Sequence, residues 1–175
     1  MSWACPVCTN TLEKIDGTWR CEQNHCFDSA KEGYVNLLLA NQKRSADPGD
    51  TREMLLARRQ FLRAGHYSPL AVALSTVLAE RLNDKRDARL LDCGCGEGYY
   101  LQSLIANLAE PSSLQVQALD ISREAMRLAG KVLSPLGVDC AVASSFQLPL
   151  SAESVDVVMR VFAPGAVDEV RRVLK

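Results

Sequence analysis

The sequence predicts an α/β protein that joins a short cysteine-rich head to a Rossmann-like domain with a parallel sheet. Three observations support this prediction. Four cysteines fall within residues 5–26, a glycine-rich turn follows an apolar segment at residues 90–98, and strand-like and helical patterns alternate from residue 88 onward. The 175 residues have room for one ordinary domain and a small module, and 47% of them are hydrophobic, enough for a packed core.

Bulk composition limits the classes of function. The formal net charge is −1, so a nucleic-acid partner would have to be held by a local basic patch. No apolar run reaches the roughly 18 residues that span a bilayer, and the start Met-Ser-Trp-Ala-Cys does not resemble a signal peptide. We therefore expect a cytoplasmic protein with no membrane partner. In that compartment the odd count of seven cysteines favours metal binding over a disulfide framework.

Residues 1–36 are predicted to form a zinc ribbon. A C-x2-C-x12-C-x3-H spacing supplies three thiolates and an imidazole from Cys5, Cys8, Cys21 and His25. This set can complete a tetrahedral zinc shell, and Asp16-Gly17 between the two pairs predicts a hairpin turn. Because so short a segment buries little apolar surface, zinc would supply much of its folding free energy. Cys26 is a second candidate for the fourth ligand, although we prefer His25 for its finger-like spacing from Cys21. Reduced structural thiols or a redox pair are the alternative to zinc.

Residues 37–84 are predicted to form a linker and two helices that pack on the domain after them. Asp50 or Thr51 caps a helix over residues 52–64, and a second helix over residues 69–82 starts at Pro69. The first helix and the loop before it carry six basic side chains. These side chains are Lys43, Arg44, Arg52, Arg58, Arg59 and Arg63. They form either a face that binds RNA phosphates or an ordinary solvated surface.

Residues 85–175 alternate between strand and helix, which predicts crossover helices on a parallel sheet. The predicted strands cover residues 89–93, 114–119, 138–142 and 154–161, and the predicted helices cover residues 99–108, 123–133 and 166–174. A short strand at Tyr34-Val35 is expected to leave the ribbon. Four strands make an incomplete sheet, and the fourth would be an unpaired edge, which is an aggregation liability.

The turn after the first of these strands predicts the cofactor. Gly94, Gly96 and Gly98 follow Asp92 in a G-x-G-x-G spacing, not the G-x-G-x-x-G of dinucleotide-binding proteins. Glycine permits a positive φ and lets a ligand approach the backbone. An acid before the first glycine suits a cation better than a phosphate, and S-adenosylmethionine carries an ammonium and a sulfonium. The turn resembles the first motif of class I methyltransferases, with Asp92 accepting from the ammonium directly or through water.

Two polar residues after later strands are further candidates. Asp120 lies at the distance from the glycines at which an acid meets ribose hydroxyls, although it could also be an ordinary helix cap. Ser144 lies where an adenine contact is expected, although a serine in a loop often has no such role. Cys93 and Cys95 are interpreted as small core thiols and not as a metal pair.

Five stretches, in this order, resemble the bacterial 23S rRNA guanine-N1 methyltransferases. They are the C-x2-C-x12-C-x3-H ribbon, Ala-Lys-Glu-Gly-Tyr-Val-Asn-Leu (30–37), Lys-Arg-Ser-Ala-Asp-Pro-Gly-Asp (43–50), Ala-Gly-His-Tyr (64–67) and Leu-Asp-Cys-Gly-Cys-Gly-Glu-Gly-Tyr-Tyr (91–100). The resemblance implies that the ribbon helps to dock a hairpin of 23S ribosomal RNA. It also implies that Tyr67, Gly96 and Glu97 contact S-adenosylmethionine, and that the methyl group goes to N1 of one guanine.

The chain departs from the family in two ways. Many class I methyltransferases carry aspartate where Ser144 stands, and the family continues after Lys175 with Pro-Gly-Gly and further strands. A truncated product is one expectation, so a zinc-dependent RNA-binding fragment without activity is an alternative function. A small-molecule class I methyltransferase with an unrelated zinc module is another. No residue is assigned as the proton acceptor; Arg160, Phe162 and Pro164 are candidates for holding or stacking the base, and a homodimer is left open.

Overall fold

The structure is a computed structural model, and it describes residues 2–43, 45, 48–82, 85, 87–108 and 114–175. Arg44 and residues 46–47, which belong to the basic face and to the segment 43–50 singled out above, lie outside the described residues.

The head is a three-stranded antiparallel sheet. Strands β1 (Glu13–Ile15), β2 (Thr18–Arg20) and β3 (Cys26–Asp28) lie in that order. The predicted hairpin at Asp16-Gly17 is confirmed, since β1 pairs with β2 across it. Both turn residues have positive φ, 48° and 83°, as a two-residue turn matched to strand twist requires.

The second sheet is parallel throughout. It contains β4 (Tyr34–Asn36), β5 (Arg89–Cys93), β6 (Gln115–Asp120), β7 (Asp139–Val142) and β8 (Val157–Met159). Their spatial order is β4-β7-β6-β5-β8. The count of four strands was therefore wrong: the described sheet has five, because the short strand after the ribbon pairs with β7. The strand predicted over residues 154–161 is only three residues long, and it is an edge of the described sheet.

In the described part of the chain, five α-helices accompany this sheet: α1 (Arg52–Arg63), α2 (Ser68–Leu82), α3 (Tyr99–Asn107), α4 (Arg123–Leu133) and α5 (Val167–Val173). Thr51, and not Asp50, caps α1 by accepting from the Met54 N–H, and Ser122 caps α4 in the same way. Among the described residues, no helix is both long and apolar enough to cross a membrane.

The two faces of the parallel sheet are covered by different layers. Alternate residues of a strand point to opposite faces. One face, with Leu90 and Ala118, packs against residues of the helices such as Leu101, Met126 and Leu133.

The other face packs against the ribbon. Val35, Leu91 and Leu119 of the sheet share one apolar cluster with the ribbon residues Trp3, Leu12 and Trp19. The Ala4 N–H also donates to the Pro149 carbonyl at 2.8 Å. The ribbon is therefore a structural layer of the protein, attached by a shared core.

Candidate cofactor site and metal centre

The metal centre lies in the ribbon, where Cys5, Cys8, Cys21 and His25 converge. Their ligand atoms all lie within 4.8 Å of one another. Cys8 Sγ is 3.7 Å from Cys21 Sγ, and His25 Nδ1 is 3.6 Å from Cys5 Sγ and 3.4 Å from Cys21 Sγ. Tetrahedral zinc with its usual bond lengths separates two sulfurs by about 3.8 Å and a sulfur from a nitrogen by about 3.5 Å. The donor set and its spacing therefore fit Zn²⁺.

Cys26 has a different position from this group. Its thiol is exposed and donates to the Asn24 carbonyl at 3.3 Å. The geometry therefore favours His25 as the fourth ligand.

The candidate cofactor site is a cavity of about 470 Å³ at the carboxyl ends of β5 and β6. This is where open parallel sheets bind ligands. Of the eight predicted cofactor residues, five line the cavity: Tyr67, Gly94, Gly96, Glu97 and Asp120.

The glycine turn forms the floor of the cavity. The N–H groups of Gly94 and Cys95 both donate to the Leu119 carbonyl, at 2.8 and 2.9 Å, which ties the turn to β6. Gly94 has a φ of 83°, and a Cβ there would lie 2.3 Å from the Ala163 Cβ. A Cβ on Gly96 would meet no atom within 4 Å, so a side chain there would project into open space beside the cavity. Gly98 starts α3 with a φ of 86° and does not line the cavity.

Asp120 joins the glycine turn to the next helix. One carboxylate oxygen accepts from the Gly96 N–H at 3.0 Å, and the other accepts from the Ser122 N–H at 2.8 Å. Burial raises the pKa of Asp120, although these two backbone hydrogen bonds lower it in part. Each oxygen keeps a further lone pair, so the carboxylate can still accept from hydroxyl groups of a ligand in the cavity.

Asp92 is buried beneath the turn and is not among the residues that line the cavity. Burial first, and the neighbouring Asp120 carboxylate second, raise the pKa of Asp92 to about 8. Its carboxyl group is therefore largely protonated at neutral pH. Direct contact with a ligand ammonium would require the cavity to open toward Asp92 or a water to intervene.

Ser144 lies outside the cavity. Its hydroxyl accepts from the Phe146 N–H at 3.1 Å and faces a second cavity between the ribbon and the parallel-sheet domain. The next residue, Ser145, lines the cofactor cavity instead.

Helix α1 forms one wall of the cavity through charged pairs. Arg58 pairs with Asp50, and Arg59 Nε lies 2.6 Å from Glu97 Oε2. The second contact is an ion pair whose N–H direction falls outside hydrogen-bond geometry, so the Glu97 oxygen has no hydrogen bond. Burial raises the pKa of Glu97, although Arg59 opposes the shift. Two arginines of the predicted basic face thus form ion pairs within the protein.

Aromatic rings line the mouth of the cavity. Tyr67 has ring contacts to Phe61 at 5.5 Å and to Phe162 at 5.9 Å between centroids. His66 stacks on Phe61 at 4.8 Å, although it lies outside the cavity lining. Pro164 also lines the cavity, whereas Arg160 does not.

Cys93 and Cys95 are buried and do not belong to the group of four converging ligands. Burial raises the pKa of the Cys93 thiol to about 12. Both therefore behave as neutral core thiols, in agreement with their interpretation from the sequence.

Sequence reasoning missed Asp50, Arg58 and Phe61 as cavity residues. Asp50 had been considered only as a helix cap and Arg58 only as part of a basic face. Their position depends on how α1 folds over the glycine turn, which no local pattern reports. The open space at Gly96, the acids at its rim and the depth of the cavity together fit S-adenosylmethionine.

Two family descriptions match the chain. A zinc ribbon described as "RlmA, N-terminal" matches residues 3–46, and a methyltransferase domain matches residues 90–175. A Micromonospora griseorubida protein assigned as a 23S rRNA (guanine-N(1)-)-methyltransferase is 37% identical over an alignment of 190 positions, which covers 98% of this chain and 61% of that protein. The 23S rRNA (guanine(748)-N(1))-methyltransferase of Streptomyces fradiae is 34% identical over 172 residues, covering 98% of this chain and 59% of its own length.

A solved S-adenosyl-L-methionine-dependent methyltransferase from Methanococcus maripaludis superposes with a TM-score of 0.60 at 16% identity, covering 76% of this chain and 64% of its own. This likeness shows the fold, a class I methyltransferase sheet. The chain spans 61% and 59% of the lengths of these two curated relatives.

Proposed function

We propose that the chain belongs to the family of 23S rRNA (guanine-N1)-methyltransferases, and that it transfers a methyl group from S-adenosylmethionine to N1 of a guanine in a 23S rRNA hairpin. The partners of the whole protein, the identity of the hairpin and the cytoplasmic location are parts of the same proposal. A homodimer and the division at residues 36 and 84 stay predictions.

One observation carries the proposal. A cavity lined by the glycine turn and by Glu97 and Asp120 opens at the carboxyl edge of a sheet whose other face is covered by a zinc ribbon. The acids suit a cationic methyl donor with ribose hydroxyls. The zinc ribbon matches the family described as "RlmA, N-terminal", and the curated relatives that align with 98% of the chain are named as 23S rRNA methyltransferases.

We assign the residues that hold the cofactor as follows. Asp120 accepts from the ribose hydroxyls with the lone pairs that the backbone leaves free. Tyr67 and Glu97, which both line the cavity, contact the remainder of the cofactor. Asp92 braces the turn from below and offers negative charge to the ammonium when it loses its proton. For the adenine, the position of Ser145 in the lining makes it a better candidate than Ser144.

The chemistry asks little of the protein beyond positioning. When bound, the cofactor supplies an electrophilic methyl group on sulfur, so the N1–carbon bond forms while the sulfur–carbon bond breaks. The guanine N1 proton must leave, and none of the described side chains is assigned to accept it. Helix α1 contributes lining residues to the cavity and is tied to the glycine turn by the Arg59–Glu97 ion pair, which helps to position the reactants.

The test is transfer of tritiated methyl groups to 23S rRNA that lacks the modification. We expect label at guanine N1, identified by nucleoside mass spectrometry, and loss of labelling in Asp120→Asn. Asp139→Asn is the matched control, because Asp139 lies at the amino end of β7, whereas the cavity lies at the carboxyl ends of the strands. Bound S-adenosylmethionine without any label in rRNA, or label on another base, would refute the proposal.

A further inference from the structure

Phe162 is unusual in its exposure. Its side chain is 78% exposed, the largest exposed fraction among the large hydrophobic residues that the structure describes. It lies in the loop directly after β8 and at the rim of the cofactor cavity. A large apolar ring at such a position has little reason to face solvent unless it binds something.

The backbone around Phe162 is fixed by its neighbours, whereas the ring is largely exposed to solvent. Phe162 has a φ of 54°, in the left-handed region that bulky residues rarely adopt. The loop after it is fixed, since the Ser145 hydroxyl donates to the Pro164 carbonyl at 2.7 Å and Ala163 packs closely against Gly94. Strain of this kind persists only where the surrounding structure imposes it, and here it directs the ring outward.

The surroundings of the ring suit a nucleotide. Phe162 and Tyr67 meet at a steep angle, with 5.9 Å between their ring centroids, and Phe162 stays 78% exposed despite this contact. Arg160 packs against Gly165 in the same loop. At the end of α1, the charge of Arg63 lies close enough to Glu97 to oppose in part the rise in the pKa of that carboxyl that burial causes. Among the described residues neither arginine has an ion-pair partner, so both can meet phosphates.

We propose that Phe162 is the stacking platform for the unpaired guanine that receives the methyl group, with Arg63 and Arg160 binding the phosphates beside it. This inference rests on the proposed function and adds the means by which the base is held. RNA bases that are splayed from loops are commonly stacked on aromatic side chains. Continuity of the platform with the cofactor cavity favours a base over a protein segment, because a stacked base would lie at the mouth through which the methyl group must pass.

The experiment compares two 23S rRNA hairpins, one with a single unpaired guanine in its loop and one with an abasic nucleotide at that position. Affinities are measured for the wild-type chain, Phe162→Ala, Phe162→Trp and Leu136→Ala. Leu136 is the matched control, since it is 51% exposed and lies in the turn before β7, at the opposite edge of the sheet. Calorimetry with S-adenosylmethionine on each protein reports whether the cofactor cavity is intact.

We expect the wild-type chain to bind the guanine hairpin about 10-fold more tightly than the abasic one, the order of effect that one base stacked on an aromatic ring gives. Phe162→Ala should bring this ratio close to one, whereas Phe162→Trp and Leu136→Ala should keep it. Affinity for S-adenosylmethionine should be the same in the wild-type chain and Leu136→Ala. Phe162 lines the cofactor cavity, so its variants are judged by the ratio of the two hairpins, from which a change in cofactor affinity cancels.

A Phe162→Ala protein that keeps the ratio overturns the stacking inference and leaves the proposed function standing. A wild-type chain that binds neither hairpin overturns both. A wild-type dimer that Phe162→Ala converts to a monomer also overturns the inference, because the ring would then be a protein contact.

Discussion

Removal of the zinc site should unfold far more than the ribbon. The perturbation is Cys21→Ser, which deletes one of four converging ligands, or chelation of the metal from the wild-type chain. Structural zinc supplies apparent binding free energies of about 10–16 kcal/mol in small zinc domains, so a ribbon without it does not hold its fold. Since the ribbon shares its core with the parallel sheet, the sheet would lose the layer that covers one face.

The magnitude follows from the side chains that would be uncovered. Val35, Leu91 and Leu119 are each at most 1% exposed. Burying each is worth about 1.5–3 kcal/mol, so exposing all three would cost at most about 5–9 kcal/mol. A domain of this size has about 5–15 kcal/mol of stability in total. Loss of zinc should therefore unfold the cofactor domain as well.

The chain contains its own probes for this experiment. Both of its tryptophans, Trp3 and Trp19, lie in the ribbon core, so their fluorescence reports the ribbon. S-adenosylmethionine binding reports the cavity at the ends of β5 and β6. During chelation, the change in tryptophan fluorescence and the loss of S-adenosylmethionine binding should occur together. Calorimetry of the zinc-loaded chain should show a single unfolding transition. Cys26→Ser is the matched control, because its exposed thiol lies outside the ligand group. The Cys26→Ser variant should still bind zinc and should unfold in the same transition as the wild-type chain.

The reasoning would be refuted if tryptophan fluorescence changed while S-adenosylmethionine still bound with its original affinity. In that case the shared cluster would contribute little to the stability of the sheet. Loss of zinc from Cys26→Ser would contradict the ligand assignment as well.

Three further predictions concern the cavity. Gly94→Ala should abolish S-adenosylmethionine binding, because its Cβ would collide with Ala163; Gly137→Ala, with a similar φ of 81° and no atom within 4 Å, should lose only the roughly 1–2 kcal/mol of left-handed strain in denaturant unfolding. Burial raises the pKa of Asp92 to about 8, so the folded state holds a proton that the unfolded state releases near pH 4. The free energy of unfolding, measured as a function of pH, should therefore fall from pH 4 to pH 8. It should fall less steeply in Asp92→Asn. Arg59→Met should leave the Glu97 carboxylate without its counter-charge and lower stability by about 1–3 kcal/mol, whereas Arg52→Met, on the exposed start of α1, should have little effect in the same assay.

Features that depend on short-range spacing were predictable from the sequence. The zinc ligands lie in two pairs on one small hairpin unit, so their spacing along the chain nearly determines their spacing in the fold. The glycine turn is local in the same sense. Its G-x-G-x-G pattern follows a buried strand, and two of its three glycines line the cavity.

Features that depend on long-range packing were not predictable. Tyr34 and Val35 gave only a short strand signal, and three residues cannot specify a partner more than 100 positions away. Their pairing with Cys140 and Ala141 in β7 comes from the tertiary fold. The adenine contact of Ser144 stays a prediction. Ser144 lines the cavity beside the ribbon and Ser145 lines the cofactor cavity, so a shift of one residue along this loop exchanges one cavity for the other.

The shared core also limits which experiments can test RNA docking by the ribbon. If zinc loss unfolds the cofactor domain, then loss of methylation in a ligand variant reports folding and says nothing about RNA. The docking role can be tested only with ribbon side chains that face solvent and take no part in the shared cluster. Arg20 is such a residue, exposed on β2 beside the buried Trp19. A ribbon that is a fixed layer also holds any docked RNA at a constant distance from the cavity, so the length of the hairpin stem should affect methylation more than its sequence.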